Sequence, residues 1–377
     1  MQVLIIADDL TGALDTVVAF ANRGMRSVVL RQPAALRGFD FATADVVAVS
    51  TGSRDGSVEA ARAVVREVVA ALGDIRPAII FKKVDSRLKG HVGAEVSVLA
   101  EGLGVTRLAV APAIPDMGRM VRGGAVVGMG VVAPISIADC FAGHGFDVSA
   151  PDIESDADFD DLLDGVGHDG GDAMLVGARG LAAALARRLA PHGEEHAPGF
   201  LPAPALFAIG SRDPITEAQV AALKGDDRVG NAVAVNGRFS GPFSVGGAVT
   251  LAKLTAGDEP VAADLAGTLF AEGLATAIEA AVPATLLACG GETANALLER
   301  FSVERLDVIA EILPGVPLSR GTICGRTVDI ITKSGGFGDQ DTLRRLAGMV
   351  ESGHRIQSAG SAQSRQTTRP METEDRP

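Results

Sequence analysis

Residues 79–95 read IIFKKVDSRLKGHVGAE, and they decide the fold class because a short apolar run hands over to a charged turn and then to a helical pattern. Ala78, Ile79, Ile80 and Phe81 make the uninterrupted apolar run of a strand buried on both faces, as in a helix-covered parallel sheet, and from Gly93 the apolar spacing is helical. Between them stand Lys82, Lys83, Arg87 and Lys89, with Asp85 and Ser86 inside the cluster. In a chain of net charge -13, so dense a basic knot at the end of a buried strand points to a negatively charged ligand. The plainer alternative is a solvated loop whose lysines pair with nearby carboxylates.

The same alternation of apolar runs and amphipathic segments extends on both sides. Strands are expected at residues 3–7, 27–30, 46–50 and 107–111, with helices over 12–24 and 57–72, which is the pattern of βαβ units. After residue 111, PAIPDMGR holds two prolines that forbid regular helix and places Asp116 and Arg119 in a loop. Residues 123–136, GGAVVGMGVVAPIS, read as hairpin-like. Gly128, Gly130 and Ala133 match a dinucleotide fingerprint there, but Pro134 stands where that fold needs a helix. Ser155, Asp156 and Asp158 read as a helix start, where carboxylates oppose the dipole favourably. The expected class is therefore α/β, two domains with mainly parallel, helix-covered sheets and an active site in the cleft between them. The boundaries fall at residues 1–195 and 204–350, with PHGEEHAPGFLPAPA as the linker and a disordered tail over 352–377.

Composition narrows the function. A chain of 377 residues, 47% hydrophobic but only 4% aromatic, builds its cores from Ala, Val, Leu and Ile. The acidic balance argues against nucleic acid, whose phosphates need a basic face. No run of 18 apolar residues is present to cross a membrane, and the opening MQVLIIADDL reads as a first strand and not a signal peptide. Cys140, Cys289 and Cys324 are widely separated and odd in number, which suits buried thiols in a reducing cytoplasm. A homo-oligomer is left open.

Two kinds of turn carry the chemistry. The first βα turn, ADDLTGA, puts Asp8, Asp9 and Thr11 at the carboxyl edge of a buried strand, where doubly wound sheets bind ligands. Two adjacent carboxylates cannot both enter a core unpaired, so at least one faces a ligand, a metal or a basic partner; the simpler alternative makes Asp9 the cap of a helix starting near Leu10. The second half has three strand-to-helix turns of small residues: Gly210 and Ser211; Gly290, Gly291, Glu292 and Thr293; and Lys333, Ser334, Gly335 and Gly336 within KSGGFG. Each exposes backbone N–H groups at a helix N-terminus, the means of holding phosphates without much basic charge. Three in one domain favour a nucleotide site, although no GxxxxGK[ST] occurs and the first turn is not GxGxxG.

Taken together, ADDLTGA, KKVDSRLKG followed by HVGAE, APAIPDMGR, GSRDPITEAQ, GGETA, PGVPLSR and KSGGFG resemble the four-carbon acid sugar kinase family, from about Val3 to Met349. The resemblance implies an N-terminal domain that binds threonate, erythronate or a related keto acid, and a C-terminal domain that binds ATP. It places Asp8, Asp9, Thr11, Lys82, Asp85, Ser86, Arg87 and Arg119 in the substrate half, and Ser211, residues 290–293 and Gly335 in the ATP half. Arg87 stands where the family usually has a small residue and His91 where it has Asn, and residues 124–146 follow the family poorly, which bears on which acid is used. The reaction expected is transfer of a phosphoryl group from ATP to the terminal hydroxyl of a short sugar acid. Lys82 and Arg87, with Arg119, would clamp the carboxylate; Asp9 or Asp85 would orient the hydroxyl and accept its proton; Lys333 would steady the phosphoryl group. Mg²⁺ would be held mainly by the phosphates, so no side chains are assigned to a metal. The rival readings are a two-domain sensor that binds a small acid and a nucleotide without chemistry, and a nicotinamide-dependent oxidoreductase, which the missing glycine fingerprint disfavours.

Overall fold

Strand β1 (Val3–Ala7) is buried at all five positions, as its unbroken apolar run requires, and helix α1 (Leu10–Ala21) follows it directly. The first half continues with β2 (Ser27–Leu30), β3 (Val46–Ser50), α2 (Val58–Leu72), β4 (Ile79–Lys83), α3 (Val92–Leu103) and β5 (Arg107–Ala111). An antiparallel excursion comes next, β6 (Arg119–Arg122), β7 (Ala125–Gly128) and β8 (Ile135–Ser136), then α4 (Ile137–Phe141), β9 (Asp147–Ser149), α5 (Asp156–Val166), β10 (Ala173–Gly177) and α6 (Arg179–Leu189). The seven long-range strands pair in parallel in the order β2-β3-β1-β4-β10-β5-β9. In this computed structural model residues 1–166, 173–193 and 199–351 are described; the expected tail over 352–377 lies outside them.

The second half contributes β11 (Leu201–Pro202), β12 (Ala205–Ile209), α7 (Pro214–Ala222), β13 (Val229–Val235), β14 (Arg238–Phe239), β15 (Val249–Thr255), α8 (Ala263–Ala280), β16 (Thr285–Cys289), α9 (Gly291–Arg300), β17 (Arg305–Leu313), β18 (Val316–Ile323), β19 (Arg326–Lys333), α10 (Thr342–Met349) and β20 (Val350–Glu351). Strands β13, β15, β12, β16 and β19 are parallel neighbours, and β18 and β17 then run antiparallel beside them. Strand β17 also pairs antiparallel with β2, Leu306 opposite Val29 and Asp307 opposite Val28. That single pairing makes one sheet of 15 strands out of what the sequence suggests are two.

Three local expectations change. Lys82 and Lys83 are the last residues of β4 and not members of the loop, so pleating sends their side chains to opposite faces. Arg119 opens strand β6 instead of sitting in a loop, and the turn between β6 and β7 uses Gly123 and Gly124 at φ +56° and +74°. The cysteines do not all become buried thiols: Cys289 is buried, Cys140 is half-buried and Cys324 is exposed. Among the described residues no helix is long and apolar enough to cross a membrane.

Candidate active site

A cleft of about 500 Å³ lies where the two halves meet. The first half lines it from the turns after β1, β3, β4 and β10 with Asp9, Thr11, Arg54, Asp85, Arg87 and Arg179, and from the end of β4 with Lys83. The second half supplies Gly291, Gly315, Pro317, Thr332, Ser334 and Phe337.

Asp8 and Asp9 share one partner. Arg54 donates from Nε and Nη2 to both oxygens of Asp8, at 2.8 and 2.7 Å, and from Nη1 and Nη2 to both oxygens of Asp9, at 2.9 and 2.8 Å. Burial pushes the Asp8 carboxyl up, but the Arg54 hydrogen bonds and the charges of Lys82, Lys83 and Arg54 outweigh it and hold the group below the usual carboxylate range. Asp9 does cap α1, its Oδ1 accepting from Gly12 N at 2.9 Å, while lining the cleft as well. Both readings of the pair are thus true at once. Sequence reasoning missed Arg54, although it lies in the turn after β3, at the same carboxyl edge that drew attention to Asp8 and Asp9.

The two lysines of the basic knot part company. Lys82 Nζ lies 2.7 Å from Glu95 Oε2 with both side chains 1% exposed, and it also donates to Lys83 O at 3.0 Å. Ser53 Oγ donates to the other Glu95 oxygen at 2.7 Å. Lys82 is therefore neutralised inside the core between β4 and α3 and does not reach the cleft, contrary to the carboxylate clamp expected of it. Lys83, 5% exposed, lines the cleft and makes no ion pair among the described residues.

At the far end, Ser86 Oγ accepts from Arg119 Nη1 at 2.5 Å, and Arg119 also donates from Nε and Nη2 to Met129 O at 3.0 and 2.8 Å. Arg119 thereby ties the loop after β7 to the turn after β4. Burial, and then the charge of Arg87, pull its pKa down, with the Asp85 carboxylate opposing. A Cβ on Gly130 would lie 3.2 Å from the Arg119 guanidinium and 4.0 Å from that of Arg87. Asp85 accepts Arg87 N at 2.8 Å through Oδ1, and its Oδ2 has no protein partner among the described residues.

In the second half the three glycine turns are bonded into one unit. Gly210 N and Ser211 N both donate to Cys289 O at 3.1 Å, Gly290 N donates to Lys333 O at 2.9 Å, and Thr216 Oγ1 donates to Gly335 O at 2.7 Å. Thr293 packs over Gly210 and Ser211 over Gly335 so closely that a Cβ on either glycine would overlap the neighbouring hydroxyl. Gly290, at φ +110°, starts α9 in a conformation that other residues rarely adopt. Glu292 is exposed in the first turn of α9, and Gly336 faces Asp213, whose carboxylate caps α7. Lys333 does not point outward. Its ammonium, buried, donates to Ser334 O at 3.0 Å and Gly335 O at 3.3 Å and lies 3.8 Å from Cys289 Sγ, so it fastens its own loop and is absent from the cleft lining. Burial pulls its pKa below the ordinary lysine value, with Cys289 and Asp213 opposing.

One half of the fold thus brings cationic side chains to the cleft and the other brings amide-rich turns, and comparison with known proteins assigns each half a domain family. Residues 3–136 match the profile of a sugar-binding N-terminal domain and residues 247–343 that of a nucleotide-binding C-terminal domain. A D-threonate kinase of Bordetella bronchiseptica is 31% identical over 91% of this chain and 96% of its own length. A 3-oxo-tetronate kinase of Methylobacterium radiotolerans is 27% identical over 92% and 98%. A solved Haemophilus influenzae protein described under a domain of unknown function shares the fold, with TM-score 0.73 and 18% identity over 92% of this chain and 100% of that one. The protein belongs to the four-carbon acid sugar kinase family.

Proposed function

We propose that the protein is an ATP-dependent kinase that phosphorylates the terminal hydroxyl of a four-carbon sugar acid such as threonate, erythronate or a 3-oxo analogue. The observation that carries this is the set of cleft cations Lys83, Arg87 and Arg119, which have no carboxylate partner among the described residues although two other cations of the same wall, Arg54 and Arg179, are paired with Asp8, Asp9 and Asp116. Arg87, with the remaining donors of Arg119, binds the acid's carboxylate, a task for which a planar fork is suited. Ser86 and Asp85 receive the inner hydroxyls, and Asp9, next to the second half, orients the terminal one.

Residues 1–195 then act as the acceptor domain and 204–350 as the nucleotide domain, with the backbone amides of residues 291–293 and 334–336 and the hydroxyl of Ser211 cradling the phosphates at the turns that include Gly290. The hydroxyl oxygen forms a bond to the γ-phosphorus, the bond from that phosphorus to the β-phosphate oxygen breaks, ADP leaves with the electron pair and the hydroxyl proton passes to the Asp9 carboxylate. The described residues contain no group of three His, Cys, Asp or Glu side chains placed to enclose a metal ion. Mg²⁺ would arrive on the nucleotide, held mainly by its phosphates, and would screen their charge.

Coupled ADP release on a panel of three- to six-carbon sugar acids tests the reading. Turnover on a four-carbon acid is expected. Binding of ATP and acid without turnover on any member would identify a sensor instead, and stabilisation by NAD but not ATP would identify an oxidoreductase.

A further inference from the structure

With Lys333 turned into its own loop, the second half brings no cation to the cleft among the described residues: its lining there is Gly291, Gly315, Pro317, Thr332, Ser334 and Phe337. A phosphoryl group in transfer nevertheless gathers negative charge on its oxygens, and enzymes meet that charge with preorganised donors. Backbone amides of the second half supply part of this, and a cationic side-chain donor has to come from the first half.

Its five cleft cations are not equivalent. Arg54 is shared between Asp8 and Asp9, Arg179 is paired with Asp116, and Arg87 and Arg119 stand together near Gly130. Lys83 is left. Its ammonium donates no hydrogen bond and joins no ion pair among the described residues, yet the side chain is 5% exposed. Carboxylates stand near it, since its charge helps to lower the Asp8 pKa, but among the described residues none is in hydrogen-bond contact. An ammonium withdrawn from water with its donors unmet is costly unless an anion arrives to meet them. Its position is also specific. A Cβ on Gly12 would fall 2.6 Å from Lys83 Nζ and closer still to Asp9 Oδ1, so the ammonium stands beside the carboxylate assigned to the acceptor hydroxyl. One residue away, Thr11 Oγ1 is 3.4 Å from where a Cβ on Gly291 would stand, which is the seam between acceptor turn and nucleotide turn.

We propose that Lys83 is the catalytic cation of the reaction, donating hydrogen bonds to the oxygens of the γ-phosphoryl group as it passes from ADP to the acceptor, a role distinct from binding the acid. This rests on the kinase reading above. Lys83 stays protonated throughout: the acceptor proton goes to Asp9, the leaving electron pair goes to ADP, and the ammonium only follows charge that is greatest in the transition state.

The test uses the full chain and the best acid from the panel. Lys83→Met lowers kcat by about 100- to 1,000-fold, the usual effect of removing a transition-state donor, with the KM for the acid and the ADP affinity measured by calorimetry each changed by less than about threefold. Lys83→Arg, which keeps the charge but not the compact ammonium, recovers part of kcat. A raised KM for the acid with kcat kept in either variant overturns the assignment and makes Lys83 a carboxylate ligand. If Lys83→Met fails to melt cooperatively or to bind ADP, Lys83→Arg decides alone: reduced kcat at unchanged KM supports the assignment, and wild-type kcat overturns it. Failure of the kinase reading itself appears separately, as absence of turnover by the wild-type protein on every acid.

Discussion

Lys82 is the residue for which sequence and structure give opposite uses, so its replacement discriminates sharply. In the fold its ammonium is 2.7 Å from Glu95 Oε2, with both side chains 1% exposed. Lys82→Met removes one partner and leaves a buried carboxylate whose remaining hydrogen-bond partner among the described residues is Ser53. Breaking such a pair from one side costs about 3–5 kcal/mol, a large part of the roughly 5–15 kcal/mol that holds a native protein together. The double variant Lys82→Met/Glu95→Leu removes both charges and should return most of that loss, because a well-packed apolar pair is often as stable as the ion pair it replaces. Urea unfolding followed by circular dichroism measures the cycle, and ADP release on the folded fraction measures the site. Expected are a strongly lowered midpoint for the single variant, recovery in the double, and a KM for the acid within about threefold of wild type. A stable Lys82→Met protein with a raised KM would refute the reasoning and return Lys82 to the carboxylate clamp.

Three further perturbations follow from the same geometry. Arg87→Ala removes a charge-assisted contact to the acid worth about 1.5–3 kcal/mol, so steady-state kinetics should show KM raised by about 10- to 100-fold with ADP affinity intact. Gly210→Ala drives a Cβ into Thr293 Oγ1, an overpacking of about 1–3 kcal/mol that calorimetry should register as weakened ADP binding, partly recovered by Gly210→Ala/Thr293→Ala. Asp15, at the cleft edge, and Glu311, in β17, both have their carboxyl pKa raised, first by burial and in Glu311 also by Asp15. A raised folded pKa gives stability that is fully present below the unfolded values of about 3.9 and 4.3 and lost as pH rises through the folded ones. Asp15→Asn and Glu311→Gln should therefore raise the melting temperature at pH 8, with the advantage shrinking toward pH 4.

The parallel core of the first half was legible because strands buried on both faces read as unbroken apolar runs, and β1, β3 and β4 fall where those runs stand. The hairpin of β17 and β18 was not read as strands, although buried and half-exposed positions alternate along β17 from Leu306 to Leu313. The pairing of β17 with β2 was beyond reach, since it joins residues some 275 positions apart and leaves no local mark. In the cleft, turns announced themselves by composition, but the use of each side chain depended on distant partners. Adjacent lysines at a strand end must face opposite ways, and that much was readable. Which of them meets Glu95 depends on how α3 packs, and the inward turn of Lys333 depends on the carbonyls of its own loop.

On the proposed reading, the division of charge between the halves gives their shared sheet a use. Among the described residues every cation in the cleft comes from the first half, and the second half offers backbone amides and hydroxyls, so on the proposed reading neither surface alone could align an acceptor with a phosphoryl donor. Such transfer depends on holding the reacting atoms in near-attack geometry, where a misplacement of about 1 Å can cost 100-fold in rate. Helix α1 provides the alignment. Its N-terminus carries Asp9 and Thr11 at the seam, and just past its other end Asn22 Oδ1 accepts from Glu311 N of β17 at 2.7 Å. Helix α1 thus links the turn that carries Asp9 and Thr11 in one half to a strand of the other, and the antiparallel junction of β2 with β17 keeps that strand in place.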